Sequence, residues 1–200
     1  MHLIHHRRNN PQLLSQTPTH WGVEIDIRSY GDKLVVHHDP FTVGIDFEEW
    51  LQYYDHKIII LNTKEEGLEQ RLLLLMNKYN INDFFFLDQS FPFLLKTALT
   101  GEPRSAVRFS QYESIETVLS LSGLVNWVWV DYFTSFPLDH DNFILLTNAG
   151  FQICLVSPEL QGHPTNTIIE LQQVLNERGI KVDAVCSKFP ELWQTFAVNV

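Results

Sequence analysis

The sequence predicts an α/β fold of the (β/α)8 class, the TIM barrel, as one compact domain over residues 1–200. Short apolar segments rich in Val, Ile, Phe and Trp alternate with segments of helical periodicity about eight times along the chain. Several apolar segments are continuous, such as Ile58–Leu61 and Phe84–Leu87. Continuous runs indicate strands that are buried on both faces, as in a parallel sheet covered by helices. No linker, charge block or repeat divides the chain.

The predicted strands are the short apolar runs that turn-forming residues bound. They are Leu3–His6, Val23–Arg28, Leu34–His38, Lys57–Asn62, Phe84–Asp88, Ala106–Phe109, Trp127–Tyr132, Phe151–Val156 and Val182–Ser187. The run Leu34–His38 is an extra strand, which we expect to form a hairpin with Val23–Arg28 through Ser29-Tyr30-Gly31-Asp32.

The segments between these strands carry helix start and stop signals. Asp46 is a plausible N-cap, and Gly150 and Gly179 stand where C-terminal caps belong. The predicted helices are Phe47–Tyr54, Glu65–Tyr79, Glu113–Leu121, Asp139–Ala149, Asn166–Arg178 and Pro190–Phe196. An open doubly wound sheet remains the structural alternative, although no Gly-rich phosphate loop follows the first strand.

The composition excludes several classes of protein. Hydrophobic residues make up 44% of the chain and charged residues 19%, which excludes disordered and low-complexity chains. The 14 basic residues against 24 acidic ones give a net charge of −10, which argues against a nucleic-acid partner because such a partner needs a basic face. This balance suits a protein that concentrates carboxylates around a divalent cation. The sequence does not indicate an oligomeric state.

Location and redox state follow from three further features. No apolar stretch approaches the roughly 20 residues of a membrane span. The start, Met1–Arg7, breaks after two apolar residues and cannot form a signal-peptide core, so we expect a cytoplasmic protein. Cys154 and Cys186 lie inside apolar runs and are expected to be buried free thiols.

Polar residues gather at the carboxyl ends of the predicted strands, where barrel enzymes place their sites. In chain order they are His6, Arg7, Glu24, Asp26, His38, Asp39, Asn62, Lys64, Asp88, Arg108, Asp131, Glu159 and Lys188. A charged substrate and a metal ion require such a concentration of polar groups. Arg108, Asp131 and Glu159 are therefore candidates for the mouth of the barrel.

Glu24 and Asp26 are two residues apart on a strand, so their side chains share a face. If that face points into a barrel, the two carboxylates repel each other unless a cation joins them. Oxygen ligands of this kind select Mg²⁺ or Ca²⁺ over zinc. The alternative is an ordinary pair of solvent-facing carboxylates.

Four of the 9 histidines form two adjacent pairs, His5-His6 and His37-His38. One member of each pair ends a strand and is followed by a charged residue. A general acid and a general base with pKa values near neutrality are what the cleavage of a P–O ester bond needs. Arg7 and Lys64 add positive groups that can hold a phosphate.

Four motifs together resemble the glycerophosphodiester phosphodiesterase family. They are His6-Arg7, Gly22-Val23-Glu24-Ile25-Asp26-Ile27, Asp32-Lys33-Leu34-Val35-Val36-His37-His38-Asp39-Pro40 and Leu61-Asn62-Thr63-Lys64. The resemblance covers residues 1–65 in order, and Phe86–Ser90 continues it more weakly. It implies a (β/α)8 barrel, shared with phosphatidylinositol-specific phospholipases C, that binds one Mg²⁺ or Ca²⁺.

The resemblance also implies residue roles. His6 and His38 would be the acid/base pair, Arg7 and Lys64 would bind the phosphoryl oxygens, and Glu24 and Asp26 would ligate the metal ion. Asn62 stands where the family has a third metal carboxylate, and Asp88 at the next strand end is a further candidate ligand. Residues Arg8 to Pro11 also depart from the family pattern, and the inserted specificity segment of many relatives is absent.

The resulting hypothesis is a metal-dependent phosphodiesterase that acts on a small-molecule phosphodiester. The attacking group is either water or a neighbouring hydroxyl of the substrate, and the sequence leaves this open, as it does the division of roles between the histidines. One alternative is a catalytically weak or silent relative that binds a phosphorylated ligand. Another is a barrel lyase or aldolase that uses Lys64 or Lys188 as a Schiff base.

Overall fold

The computed structural model describes residues 1–199, which divide into two compact units. We call His5–Gly101 the amino-terminal unit. The carboxy-terminal unit comprises Met1–Ile4 and the described residues from Glu102 onward. Both units alternate strands with helices, as the sequence pattern predicts.

The amino-terminal unit contains a mixed sheet with helices between its strands. Its strands are β2 (Gly22–Tyr30), β3 (Lys33–Val36), β4 (Ile45–Asp46), β5 (Ile59–Thr63) and β6 (Phe84–Leu87). Its helices are α1 (Pro11–Ser15), α2 (Phe47–Leu51), α3 (Glu69–Lys78) and α4 (Phe91–Leu99). Strand β2 pairs parallel with β5, and β5 pairs parallel with β6. Strand β3 pairs antiparallel with β2 and with β4.

Side chains alternate between the two faces of β2, so one face is apolar and the other is acidic. Val23, Ile25 and Ile27 are fully buried in a hydrophobic core that includes Trp50. Glu24 and Asp26 lie on the opposite face and are also buried, each with 1% of its surface exposed. The predicted apolar and acidic faces are therefore confirmed. The solvent-facing alternative for the carboxylates is wrong, because the register places β5 and the following loop beside them.

The carboxy-terminal unit is built on a parallel arrangement of strands. Its strands are β1 (His2–His5, of which His5 begins the other unit), β7 (Ala106–Phe109), β8 (Trp127–Val130), β9 (Gln152–Val156) and β10 (Ala184–Ser187). Its helices are α5 (Ile115–Leu119), α6 (His140–Asn148), α7 (Thr167–Glu177) and α8 (Gln194–Asn199), with 3₁₀ turns at Pro158–Gln161 and Pro190–Trp193. Parallel pairing joins β7 to β8, β8 to β9 and β9 to β10, and β1 lies beside β10. Cys154 and Cys186 are buried free thiols, as predicted.

Several element boundaries differ from the prediction. Helix α3 begins at Glu69 rather than Glu65, because Gly67 adopts a left-handed φ of 87° and breaks the run. Strand β2 extends to Tyr30, so the hairpin turn is only Gly31-Asp32. The predicted helix Pro190–Phe196 is a 3₁₀ turn followed by α8.

Two helices were not predicted. Helix α4 follows β6 so closely that Phe84–Leu87 and Phe91–Leu95 form an almost continuous apolar stretch in the sequence. Helix α1 is short and begins after Asn10, whose side-chain oxygen accepts a hydrogen bond from the Leu13 N–H. The predicted C-terminal positions of Gly150 and Gly179 are confirmed, since each follows a helix with a left-handed φ.

Candidate active site

The centre of the amino-terminal unit is the buried pair Glu24 and Asp26 on β2. Burial of a carboxylate costs free energy unless hydrogen bonds or positive charges compensate for the lost water. Two neighbouring segments supply that compensation: the loop after β1 and the end of β5.

Glu24 accepts hydrogen bonds from two sides. The backbone N–H of Arg7 donates to Glu24 Oε2 at 2.8 Å, and His6 Nε2 lies 3.7 Å from the same oxygen. Asn62 Nδ2 donates to Glu24 Oε1 at 2.9 Å. Arg7 reaches this position with a left-handed φ of 54°, which is uncommon for a residue other than glycine. The strand end of β5 and the His6-Arg7 segment therefore meet at one carboxylate.

Asp26 is surrounded by donors and positive charges. Asn9 Nδ2 donates to Asp26 Oδ2 at 2.7 Å, and the Asp26 N–H donates in return to Asn9 Oδ1 at 3.0 Å. Arg7 Nε lies 3.6 Å from Asp26 Oδ2. Lys64 Nζ lies 3.2 Å from Asp26 Oδ1, an ion pair that lacks hydrogen-bond geometry. Both oxygens of Asp26 thus face groups that can balance a negative charge.

Lys64 also contacts the predicted candidate Asp88. Its Nζ donates a hydrogen bond to Asp88 Oδ2 at 3.2 Å. Asp88 follows β6 directly and has a left-handed φ of 63°. In the structure Asp88 therefore binds the lysine that binds Asp26.

The loop after β3 carries the second predicted histidine. Arg28 Nε donates to the His38 carbonyl at 2.9 Å, which holds this loop against β2. The close return of the loop requires Gly44, because a Cβ atom there would lie 2.5 Å from the Val36 carbonyl oxygen. His38 Nδ1 lies 2.8 Å from Asp39 Oδ1, and this hydrogen bond holds the pKa of Asp39 below its ordinary value.

A pocket of about 390 Å³ opens beside these residues. The residues that line it include Arg7, Asn9, Asn10, His37, His38 and Asp39. Arg7 lies near both predicted histidines. Its N–H binds Glu24 Oε2, the oxygen that His6 faces, and Arg7 lines the pocket together with His38. The size suits a small molecule.

Burial raises the pKa of Glu24 from its ordinary value of 4.5 to about 7, and the negative charge of Asp26 adds to the increase. The hydrogen bonds from Arg7 and Asn62 and the charge of Lys64 oppose it. The carboxylate pair therefore carries an unfavourable charge that a further cation would relieve.

The amino-terminal unit contains oxygen ligands that fit a divalent cation. Asp26 Oδ1 and Asn62 Oδ1 are buried oxygens without a hydrogen-bond partner. Together with Glu24 they form a set of two carboxylates and one amide, which suits Mg²⁺ or Ca²⁺. Within residues 1–199 no group of three or more His, Cys, Asp and Glu side chains is arranged to hold a metal ion. The one amide oxygen in this set is that of Asn62.

The predicted mouth residues Arg108 and Asp131 belong to the carboxy-terminal unit, where they form an ion pair. Asp131 is fully buried and also accepts a hydrogen bond from Gln161 Nε2 at 2.7 Å. These bonds occupy both oxygens of Asp131.

Glu159, the third predicted mouth residue, lies in the turn after β9 and is buried. It accepts hydrogen bonds from the Ser157 and Ser187 hydroxyls and from the Lys188 N–H. This carboxylate connects the end of β9 with the end of β10.

Two residues of the site were not predicted as functional. Asn9 was noted only as a departure from the family pattern, but its amide binds Asp26 on two sides. Asp39 is among the polar strand-end residues of the sequence without an assigned role, and its carboxylate binds the His38 imidazole. The available signal in the sequence was a polar residue soon after each strand-end histidine, Asp39 directly after His38 and Asn9 after His6-Arg7-Arg8.

Solved structures resemble this chain over its whole length. A protein of Agrobacterium tumefaciens assigned as a glycerophosphoryl diester phosphodiesterase matches with a TM-score of 0.72 and 14% identity, over 100% of this chain and 98% of that chain. A glycerophosphoryl diester phosphodiesterase of Parabacteroides distasonis matches with a TM-score of 0.67 and 14% identity, over 100% and 87%. A second Agrobacterium tumefaciens structure, a glycerophosphodiester phosphodiesterase, matches with a TM-score of 0.62 and 13% identity, over 99% of both chains.

These matches confirm the predicted fold class, the (β/α)8 barrel. No protein-family model matches the sequence, and no curated protein matches it. None of the helices within residues 1–199 combines the length and the apolar character that crossing a membrane requires. The fold of the whole chain is thus similar to that of three proteins assigned to the family that the motifs of residues 1–65 resemble.

The raised pKa of Glu24 predicts a pH dependence of stability. Between pH 4.5 and about pH 7, Glu24 is protonated in the native state and has lost its proton in the unfolded state. The contribution of Glu24 to the free energy of unfolding is therefore full below 4.5 and is lost as the pH rises through about 7. Urea unfolding in EDTA should show this loss for the wild type relative to Glu24→Gln. A constant difference between the two proteins across the window would contradict the assignment.

Proposed function

We propose that this protein is a phosphodiester hydrolase related to the glycerophosphodiester phosphodiesterases. One observation carries the proposal: His6, Arg7, Glu24, Asp26 and Lys64, which the sequence resemblance selects from three separate segments, meet in one cluster of hydrogen bonds and ion pairs. The fold similarity over the whole chain supports it. Because one fold hosts many activities, the cluster rather than the fold carries the functional claim.

In this proposal Arg7 is the principal phosphate ligand. Its side chain is 46% exposed, lines the pocket and can form two hydrogen bonds to a phosphoryl group. Lys64 is 16% exposed and its ammonium group lies beside Asp26 and Asp88, where it contributes positive charge to the site. Together the two cations stabilise the negative charge that grows on the phosphoryl oxygens as the P–O bond breaks.

His6 and His38 are the proposed acid and base. Asp39 Oδ1 at His38 Nδ1 favours the tautomer with a proton on that nitrogen, which leaves Nε2 to accept a proton or, when protonated, to donate one. His6 Nε2 lies 3.7 Å from Glu24 Oε2, so this nitrogen faces the carboxylate side of the site. This arrangement suits His38 as the base that takes a proton from the attacking hydroxyl and His6 as the acid that protonates the leaving alkoxide.

One divalent cation, Mg²⁺ or Ca²⁺, is the proposed cofactor, and when bound it polarises a phosphoryl oxygen. Glu24, Asp26 and Asn62 would hold it. Ligation by Asn62 requires its oxygen, which is the buried atom that lacks a partner, to face the ion. The proposed substrate is a small phosphodiester that fits the pocket beside Arg7 and His38.

A specific contact favours a second candidate function, which is binding of a phosphorylated ligand without turnover. The amide of Asn62 donates a hydrogen bond to Glu24, so protein donors already satisfy part of the carboxylate charge. Such a protein would bind a phosphodiester through Arg7 and release it unchanged. At Lys64 the Schiff-base alternative loses support, because this lysine is ion-paired with two carboxylates whereas a Schiff-base lysine must be a free amine. Lys188, the other lysine of that alternative, is exposed and stays an untested candidate.

A panel of phosphodiesters tests the proposal directly. Glycerophosphodiesters with different alcohols are incubated with the protein in excess Mg²⁺ or Ca²⁺ and in EDTA, and the products are followed by ³¹P nuclear magnetic resonance. Release of a phosphomonoester or a cyclic phosphate that EDTA abolishes supports the proposal. Saturable binding without any product in either cation would favour the silent relative.

The two histidines should act as a unit. We expect His6→Ala and His38→Ala each to lower kcat by about 10²–10⁴-fold, because acid and base catalysis are each worth that much. The measurement is steady-state hydrolysis of the best substrate, with circular dichroism to verify the fold. Near-normal turnover in His38→Ala would rule out this mechanism.

The neighbouring histidines provide the controls. His5 packs edge-on against Trp21, with 6.2 Å between ring centroids, so we expect His5→Ala to retain turnover close to that of the wild type. His37 is a less strict control, because its Nδ1 accepts a hydrogen bond from the Asp39 N–H at 3.0 Å. We expect His37→Ala to cause a smaller loss than His38→Ala.

Divalent cations should stabilise the folded protein. Binding of Mg²⁺ or Ca²⁺ to the native state shifts the folding equilibrium by mass action, so excess cation should raise the Tm of the wild type above its value in EDTA. We expect Glu24→Gln to lose most of this rise. The exposed Glu49→Gln is the matched control and should keep it. Identical melting of the wild type in EDTA and in excess cation would show that these residues are not ligands.

A further inference from the structure

Lys64 is placed between two carboxylates of the site at equal distance. Its Nζ lies 3.2 Å from Asp26 Oδ1 and 3.2 Å from Asp88 Oδ2. The lysine is held there by backbone contacts as well, since its N–H donates to the Ile27 carbonyl at 3.0 Å. The hydroxyl of the preceding Thr63 donates to the Leu87 carbonyl at 3.0 Å, which ties the end of β5 to the end of β6.

The charge of the site explains why a lysine is held at this position. Glu24 and Asp26 bring two carboxyl groups into the interior, and Asn62 is neutral. Of the two cations that contact Asp26, Arg7 is half-exposed at 3.6 Å and Lys64 is mostly buried at 3.2 Å. A charge interaction is stronger where water is excluded, so Lys64 is the principal counter-charge of Asp26.

A divalent cation and Lys64 compete for the same atom. The oxygen of Asp26 that has no hydrogen-bond partner, and is therefore the free ligand for a metal ion, is the Oδ1 that faces Lys64 Nζ. Two positive charges repel each other at such a distance. Asp88 is the neighbouring carboxylate that can hold the ammonium group after it moves away from Asp26, since the hydrogen bond between Lys64 and Asp88 already exists.

We propose that Lys64 is the resident cation of the site, and that a divalent ion binds by displacing the Lys64 ammonium group from Asp26 towards Asp88. The inference rests on the proposed metal site but not on turnover. Lys64 then sets the affinity for the ion, because each binding event must separate it from Asp26. The cluster also remains assembled when no metal ion is bound.

Removal of the lysine charge tests this role. We expect Lys64→Gln to tighten Mg²⁺ and Ca²⁺ binding by about ten-fold or more, because the competing charge beside Asp26 is lost. The Kd is measured by isothermal titration calorimetry with the metal alone, without substrate. Lys33→Gln is the matched control, since Lys33 is an exposed lysine paired with Asp46 Oδ2 at 3.4 Å. It should leave the Kd within about two-fold, because solvent screens an exposed charge.

Asp88→Asn provides the second variant. If Asp88 acts by holding Lys64, its loss should weaken cation binding in the wild type and should have little effect in the Lys64→Gln background. If Asp88 is itself a metal ligand, Asp88→Asn weakens binding equally in both backgrounds, and the proposed displacement is wrong. An unchanged Kd for Asp88→Asn in the wild type would also overturn it, whether or not Lys64→Gln folds.

The remaining outcomes separate this inference from the proposed function. If the wild type binds the cation and Lys64→Gln binds it no more tightly, the resident-cation role is wrong and the metal site stands. If neither protein binds Mg²⁺ or Ca²⁺, the metal site itself is wrong, and the inference fails with it.

Discussion

The burial of two carboxylates on one strand is the constraint on which the rest of the site depends. Glu24 and Asp26 share a face of β2 and are almost completely removed from water. An uncompensated buried charge destabilises a protein by several kcal/mol. Each nearby segment therefore supplies a donor or a cation: Arg7 and Asn9 from the loop after β1, and Asn62 and Lys64 from the end of β5.

The same compensation arranges the groups that the proposed reaction needs. The contact of the Arg7 N–H with Glu24 brings His6 beside the carboxylate and leaves the guanidinium group at the pocket. The His37 N–H donates to the Asp26 carbonyl at 3.0 Å, so the carboxylate strand also fixes the start of the loop that carries His38. Positioning by buried contacts of this kind is how catalytic groups obtain fixed geometry.

Local patterns in the sequence were sufficient for the strands and for the carboxylate pair. Alternation around Val23, Ile25 and Ile27 predicts that Glu24 and Asp26 share a face, and the structure confirms this. The contacts of Asn62 and Lys64 could not be predicted from the sequence, because they depend on the register of β5 against β2 and β6. The contact between Lys64 and Asp88 also depends on the left-handed backbone of Asp88. Asn9 was missed for a similar reason, since this loop residue finds its partner Asp26 on β2, 17 residues further along the chain.

The measurement that tests this account most directly is a crystal structure of the protein soaked in Mn²⁺, with anomalous scattering to locate the ion. The account predicts a peak within ligand distance of Glu24, Asp26 Oδ1 and Asn62 Oδ1. It also predicts that Lys64 Nζ moves away from Asp26 while it keeps its contact with Asp88. A peak elsewhere, or an ion at the carboxylate pair with Lys64 still on Asp26, would contradict it.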